Sequence, residues 1–236
     1  MNKHITFQWI GFGGFYINTI TNKKILIDPW IKNNPVCPES IKNIQDIDYI
    51  FITHAHRDHA EDIIWLSEQT KATIVAGWEL AFILEKKGVK NILPINKGGT
   101  RKLDNISITA VHADHSGAYV DGDSILYGGE PMGYVIKFED GLVVYHAGDT
   151  NIFSDMTLIK ELYKPTIALL PIGDVYTMSP YEAAKAVELL DVEEVIPTHF
   201  GVFDFLTGKP CELVTFLASY KKVHVHDISP GEIITL

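Results

Sequence analysis

An apolar segment that runs directly into a cluster of metal-binding side chains constrains this chain more than any other feature. Residues Tyr49–Ile52 have the β-branched and aromatic character of a buried strand, and Thr53–His59 then reads Thr-His-Ala-His-Arg-Asp-His. The three histidines and the aspartate of this segment can converge only if the chain turns sharply where the strand ends. Imidazole and carboxylate groups together suit Zn²⁺, Mn²⁺ or Fe²⁺. The sequence therefore predicts a metal site at this strand end.

The remaining ligands of such a site should also follow strands. His115 comes after the strand predicted over Ile106–Val111 and is the preferred ligand there. His112 alternates with the apolar residues of the same strand, which is more typical of packing or of a group that supports the ligands. Asp149 and His199 each follow a further hydrophobic run, and both are predicted ligands.

Composition limits the partners of the chain. Its 236 residues are 46% hydrophobic, which is enough to bury a core and excludes a disordered or disulfide-stapled chain. The formal net charge of −10 argues against a nucleic-acid partner and against an anionic membrane surface.

Met1–Trp9 has no signal-peptide core, and no apolar run is long enough to span a membrane. Cys37 and Cys211 have no metal or redox spacing, so two reduced thiols are expected, with one long-range disulfide as the alternative. We expect a soluble, cytoplasmic protein.

Short β-branched runs alternate with a few amphipathic segments along the chain. Strands are predicted at His4–Trp9, Phe15–Thr19, Lys24–Asp28, Tyr49–Thr53, Thr73–Ala76, Asn91–Ile95, Ile106–Val111, Tyr134–Phe138, Leu142–His146, Ile167–Leu170, Glu194–Ile196, Val223–Val225 and Glu232–Leu236. Helices are predicted at Ala60–Ser67, Trp78–Lys87, Met156–Tyr163, from the capping box at Ser179 to about Leu190, and from Pro210 to about Tyr220. The pattern suggests two sheets covered by helices in one domain over residues 1–236.

The order of Thr53–His59, His115, Asp149 and His199 resembles that of the metallo-β-lactamase superfamily. More narrowly, the chain is similar to small bacterial metal-dependent hydrolases akin to ascorbate-6-phosphate lactonase. Supporting segments are Leu26–Pro29, Tyr145–Thr150, Leu169–Asp174, Tyr176–Pro180, Ile196–Phe200 and the closing Pro230–Glu232. The resemblance covers essentially the whole chain. It implies an α+β fold, the four-layer αββα sandwich, with the active site at one edge.

The resemblance also implies how the ligands divide between two metal ions. One ion would be held by His54, His56 and His115, the other by Asp58, His59 and His199, with Asp149 bridging them. One position departs from the pattern: relatives often read Gly-His-Ser near the N-terminus, whereas this chain has Phe12 between Gly11 and Gly13. A phenylalanine side chain neither binds metal nor transfers a proton. The substrate of a relative is therefore a weaker guide to this chain than the relative's metal ligands are.

The implied chemistry is hydrolysis. Two divalent ions that share a water lower its pKa to about 7, and either ion can polarise the scissile oxygen. Asp58 is the expected proton acceptor. Two dications and two ligand carboxylates leave the site near +2, so a small anionic substrate is expected, such as a phosphorylated sugar lactone or a phosphodiester. The alternative is a non-catalytic metal-binding or ligand-sensing module on the same scaffold. A homo-oligomer is compatible with either function.

Several residues near the predicted ligands have two interpretations. Asp28 is expected to hold a ligand-bearing loop through backbone hydrogen bonds. His146 is either a support for a ligand or a core histidine. Asp174 and Thr177 either line the mouth of the pocket or belong to an ordinary turn. Gly128–Gly133 is either a flexible cover for the substrate or a plain connection.

Overall fold

The computed structural model describes residues 4–220 and 223–236, so the first residues of Met1–Trp9 lie outside the described part. Numbered along the chain, the strands are β1 Thr6–Gly11, β2 Gly14–Asn18, β3 Lys24–Ile27, β4 Tyr49–Phe51, β5 Thr73–Gly77, β6 Ile92–Ile95, β7 Thr100–Leu103, β8 Ile106–His112, β9 Ala118–Asp121, β10 Ser124–Tyr127, β11 Met132–Lys137, β12 Val143–His146, β13 Ile167–Pro171, β14 Glu194–Thr198, β15 His224–Val225 and β16 Ile233–Thr235. The helices are α1 Glu39–Lys42, α2 Arg57–Ala60, α3 Ile63–Gln69, α4 Trp78–Lys86, α5 Met156–Tyr163, α6 Pro180–Leu190 and α7 Pro210–Leu217. Within the described ranges, no helix is long and apolar enough to cross a bilayer.

The chain divides into two compact units. Unit 1 comprises Met1–Asn96, Ser116–Pro131 and Ser229–Leu236. Its seven-stranded sheet has the order β16-β1-β2-β3-β4-β5-β6, antiparallel from β16 to β3 and parallel from β3 to β6. Strands β9 and β10 form a separate hairpin. Because parallel strands end at the same sheet edge, the residues that follow β3 and β4 are brought together there.

One apolar cluster of unit 1 joins a face of this sheet to helix α4. Ile50 of β4 and Ile74 of β5 are fully buried, and they belong to one apolar cluster with Leu80 and Leu84 of α4. Leu80 and Leu84 are four residues apart, which places them on the same face of the helix. Burial of this face fixes α4 on the parallel half of the sheet.

Unit 2 comprises Lys97–His115 and Met132–Ile228. Its sheet has the order β15-β14-β13-β12-β11-β8-β7, antiparallel from β7 to β12 and parallel from β12 to β15. The predicted capping box begins α6: the Ser179 amide donates to Glu182 at 2.8 Å, and the Glu182 amide donates to the Ser179 hydroxyl at 3.4 Å. Val187 of α6 and Leu213 of α7 pack into the same core as Leu170 of β13.

The long, strongly patterned elements agree with the sequence prediction to within a few residues, and several other elements do not. The helix predicted over Ala60–Ser67 has the wrong start: α3 begins at Ile63 and is separate from α2, and between the two helices Asp62 accepts the amides of Ile31 and Lys32 at 2.6 and 3.0 Å. Strands β7, β9 and β10 were not predicted, because β7 is largely polar and the side chains of β10 are exposed. The single domain over residues 1–236 stays a prediction.

The two cysteines are free thiols in different surroundings, which gives a first testable prediction. Cys211 is exposed, whereas Cys37 is 6% exposed, and burial raises the pKa of its thiol from 9.0 to about 11. Because the thiolate is the reactive form, we expect one equivalent of Ellman's reagent to react at pH 8 in the native protein and two after unfolding. Cys211→Ser should remove the fast equivalent. A fast reaction in that variant would contradict the buried position of Cys37.

Candidate metal centre

Unit 1 supplies four candidate metal ligands from one short segment after β4. His54 follows the strand, His56 is the residue that precedes α2, and the first turn of α2 carries Asp58 and His59. The Nε2 atom of His59 lies 3.5 Å from Oδ2 of Asp58. The ring centroids of His54 and His59 are 4.0 Å apart. The sharp turn expected from the sequence is thus a short loop over residues 52–56 that leads from the end of β4 into the single helical turn α2.

A buried carboxylate holds this segment in place. Asp28, fully buried after β3, accepts the Thr53 amide at 2.8 Å and the Thr53 hydroxyl at 2.7 Å. The same carboxylate lies 3.0 Å from Nδ1 of His59. A carboxylate at this nitrogen favours the Nδ1–H tautomer, which leaves the Nε2 lone pair available to a metal.

The other two candidate imidazoles of unit 1, those of His54 and His56, contact each other and a serine. Nε2 of His54 lies 2.9 Å from Nδ1 of His56, and Nε2 of His56 lies 3.2 Å from the hydroxyl of Ser116. The hydroxyl of Thr53 lies 3.0 Å from Nδ1 of His54. Sequence reasoning missed Ser116, although its position directly after His115 was a signal that it belongs to the same loop.

Unit 2 supplies three further candidates, one from each of three loops. Oδ2 of Asp149 lies 3.2 Å from Nε2 of His199 and 3.9 Å from Nε2 of His115. Asp149 and His199 are both buried. One carboxylate oxygen that faces two imidazole nitrogens can receive a proton from them or share a cation with them.

Two hydrogen bonds connect two of these loops. The amide of Asp114 donates to the Thr150 hydroxyl at 3.0 Å, and the amide of Asn151 donates to the Asp114 carbonyl at 2.9 Å. The loop that carries His115 is therefore fixed to the loop that carries Asp149. His146 is buried at the end of β12, and its Nδ1 accepts the amide of Gly148 at 3.0 Å, which orders the start of the Asp149 loop.

The donor chemistry of both units fits divalent transition metals. Imidazole nitrogens and carboxylate oxygens are ligands for zinc, manganese and iron, and a second carboxylate behind a ligand histidine is a common support. The backbone also leaves room for the His59 ring, because a Cβ on Gly13 would lie 3.0 Å from its Cε1 atom. The residues therefore suit the metals that the sequence predicts.

Comparison with known proteins decides the family. A family model described as the beta-lactamase superfamily domain matches residues 23–200. The chain belongs to the metallo-β-lactamase superfamily. It is 48% identical over 224 residues to a UPF0173 metal-dependent hydrolase of Koribacter versatilis, with 95% of each chain covered. A relative with the same description from Caldivirga maquilingensis is 42% identical over 234 residues, with 97% of each chain covered.

A solved structure gives the same result for the fold. Igni18, described as a metallo hydrolase from Ignicoccus hospitalis, aligns with a TM-score of 0.86 and 34% identity over 99% of each chain. The predicted fold class, the α+β sandwich of the metallo-β-lactamase type, is therefore confirmed. The predicted enzyme class is also confirmed: the protein is a metal-dependent hydrolase, which disfavours the non-catalytic alternative.

Phe12, the residue at which this member departs from the superfamily pattern, has a packing role. Phe12 is buried with its ring edge-on to Trp30, at a centroid distance of 4.7 Å. Its φ of +54° turns the backbone so that its carbonyl accepts the Trp9 indole N–H at 2.9 Å. Phe12 therefore stabilises the β1–β2 turn and contributes no metal-binding atom.

Other residues singled out from the sequence have simpler surroundings. His112 is exposed at the end of β8, where its ring contacts Phe153 edge-on at 4.8 Å. It therefore does not pack into the core as its alternation with apolar residues suggested.

Gly128 is closely packed, since a Cβ there would lie 2.4 Å from that of Ala55. This packing favours a connecting role for Gly128–Gly133 over that of a flexible cover.

The loop after β13 contains a strained backbone. Asp174 is exposed with a φ of +64°, and the β-branched Val175 has a φ of +59°. Such a conformation is rare for a β-branched residue and costs about 1–2 kcal/mol. The same loop holds Thr177, half-buried, whose amide donates to the Asp174 carbonyl at 3.4 Å.

Relief of this strain is a second testable prediction. Val175 is 61% exposed, so Val175→Gly loses little packing and should raise the free energy of unfolding by about 0.5–1 kcal/mol. Val214 is similarly exposed but lies inside α7, so Val214→Gly should lower it by about 1 kcal/mol. Urea denaturation of both variants measures the two changes. Destabilisation of similar size in both would contradict strain at Val175.

Proposed function

We propose that this metal-dependent hydrolase binds two divalent ions and acts on a small anionic ester, lactone or phosphodiester. The ligands in this proposal are His54, His56 and His115 for one ion, Asp58, His59 and His199 for the other, and Asp149 for both. The observation that carries the proposal is the Asp149 carboxylate, which faces two imidazole nitrogens at 3.2 and 3.9 Å within unit 2. Membership of a hydrolase family supports the same assignment.

When bound, divalent ions at these residues lower the pKa of a water and polarise a carbonyl or phosphoryl oxygen. The side chains then have separate tasks. Asp28 keeps the proton of His59 on Nδ1, so that Nε2 remains a donor. Asp58 is half-buried and offers a carboxylate oxygen that can take a proton from the attacking water.

Charge supports an anionic substrate. Two dications contribute +4, and the carboxylates of Asp58 and Asp149 subtract 2, so the ligand set has a net charge of about +2. The whole chain has a net charge of −10. A local positive field within an acidic protein attracts small anions, whereas the polyanionic backbone of a nucleic acid is repelled by the surrounding surface.

Zinc and manganese are the favoured metals, with iron as a third, because the ligand set mixes imidazole with carboxylate and contains no thiolate. Two free thiols support a cytoplasmic location, where cysteines stay reduced. A homo-oligomer is compatible with all of these assignments.

Metal content and turnover test the proposal together. Protein stripped with a chelator and reloaded separately with Zn²⁺, Mn²⁺ or Fe²⁺ should bind two equivalents by elemental analysis. It should hydrolyse bis(p-nitrophenyl) phosphate or members of a lactone panel only when loaded. His54→Ala should lose turnover, whereas His224→Ala, which removes an exposed imidazole from β15, should not. Undiminished turnover after chelation, or binding of less than one equivalent, would overturn the proposal.

A further inference from the structure

Three aromatic side chains of unit 2 form an exposed cluster on the loops that follow β13 and β14. Tyr176 is 61% exposed, Phe203 is 41% exposed and Phe205 is 47% exposed. The rings of Phe203 and Phe205 stack with centroids 5.2 Å apart, and Tyr176 meets Phe205 edge-on at 5.8 Å. We call these three residues the loop aromatic cluster.

The exposure of this cluster is costly for folding. Each ring exposes apolar area to water that would be buried at a core position. Contiguous apolar patches on a soluble protein mark binding surfaces. The rings also contact one another, so they present one continuous surface. Tyr176 adds a hydroxyl at the edge, which suits a ligand that is apolar on one side and polar on the other.

Close backbone contacts fix the cluster to the proposed metal ligands. A Cβ on Gly173 would lie 2.0 Å from the carbonyl oxygen of His199, so the two loops touch at that point. The Met178 amide donates at 3.2 Å to the carbonyl of Thr150, the residue after Asp149. The loop that carries Tyr176 is therefore attached both to the His199 loop and to the Asp149 loop.

The second loop of the cluster has its own anchor. Leu206 is buried, and its amide donates to the Phe203 carbonyl at 2.9 Å, which closes the turn that contains Phe205. Leu206 Cδ2 would lie 3.2 Å from a Cβ on Gly173, so the anchor packs where the two loops meet. The loops that carry the rings are thus ordered, and they are attached to the loops that carry the proposed ligands His199 and Asp149.

We propose that the loop aromatic cluster binds a planar aromatic ring of the substrate. The substrate class is accordingly an aryl compound whose hydrolysed ester, lactone or phosphate group lies beside the ring. This inference rests on the proposed function and adds the part of the substrate that does not react. Flat rings stack on or against other rings more favourably than alkyl groups do, which is why the occupant is aromatic.

Two phosphonates that differ only in the ring test this inference. Phenylphosphonate and methylphosphonate carry the same anionic group, and calorimetry on the metal-loaded protein measures both affinities without turnover. We expect phenylphosphonate to bind about tenfold more tightly. Phe205→Ala should reduce this ratio to about twofold or less while the methylphosphonate affinity stays unchanged. Phe205→Leu, which keeps apolar area without a ring, should give an intermediate ratio.

The matched control is Phe216→Ala, which removes a ring that is 44% exposed on α7 and also makes an edge-on aromatic contact. It should leave the ratio unchanged. Equal affinities for both phosphonates in the unmodified protein, or a ratio that survives Phe203→Ala and Phe205→Ala alike, would overturn the inference alone. Failure of both phosphonates to bind the loaded protein would overturn the proposed function and the inference with it.

Discussion

Asp149→Ala is expected to lower kcat/KM by about a thousandfold or more and to reduce the metal content of the purified protein. The carboxylate faces His199 and His115 in a buried position, so its removal takes away a negative charge that both imidazoles face. Loss of a metal ligand forfeits several kcal/mol of transition-state stabilisation. Steady-state kinetics and elemental analysis of the same preparation measure both effects.

Asp155→Ala is the matched control, because Asp155 is an exposed carboxylate a few residues further along, at the start of α5. It should keep full metal content and turnover. Asp149→Asn separates charge from shape: it preserves the size of the side chain and should still lose most of the activity. An Asp149→Ala protein with two bound metals and ordinary kinetics would show that Asp149 is not a ligand.

Asp28→Ala should destabilise the protein by about 3–5 kcal/mol, even without metal. The substitution removes the buried acceptor of the Thr53 amide and of the Thr53 hydroxyl, and it removes the carboxylate that lies 3.0 Å from Nδ1 of His59. Removal of one partner from a buried charged network costs far more than the net contribution of an exposed pair. Urea unfolding in the presence of a chelator measures this change apart from metal binding.

Asp48→Ala provides the comparison for that experiment. Asp48 also accepts a backbone amide, that of Lys24 at 2.9 Å, and pairs with Lys23 at 3.0 Å, but its side chain is 30% exposed. Water can replace the lost acceptor there, so we expect a loss of about 1 kcal/mol. Asp28→Asn should in addition weaken metal binding about 10- to 100-fold through the orientation of His59. Similar stability losses in Asp28→Ala and Asp48→Ala would contradict the supporting role of Asp28.

The fold was predictable wherever burial imposes a pattern on the residues. Strand β4 and helix α6 were recognisable because one is a short apolar run and the other begins with a capping box. Strand β10 was not, because its side chains are exposed and carry no alternation. The break between α2 and α3 depends on Asp62 and its distant partner Ile31, a tertiary contact that no local pattern encodes.

Much of the candidate site was predictable for a different reason. His54, His56, Asp58 and His59 occur in one segment, so their density alone signalled metal chemistry. Asp28 was recognisable only as a residue at a strand end, and its contact with His59 depends on the parallel pairing of β3 with β4. The clustering of Tyr176 with Phe203 and Phe205 gave no signal, because exposed aromatic residues on loops follow no periodicity.

Strand β16 closes the first sheet beside β1, with Thr235 opposite Thr6. The Gln8 side chain donates to the Gly231 carbonyl at 2.9 Å across 223 residues of chain. On the ribosome, β1 emerges long before the strand that will cover its free side, and that side stays open while about 220 further residues are made. Such an unprotected edge is a place where nascent chains aggregate. Cellular yield should therefore depend on chaperones that shield β1 until β16 has been synthesised.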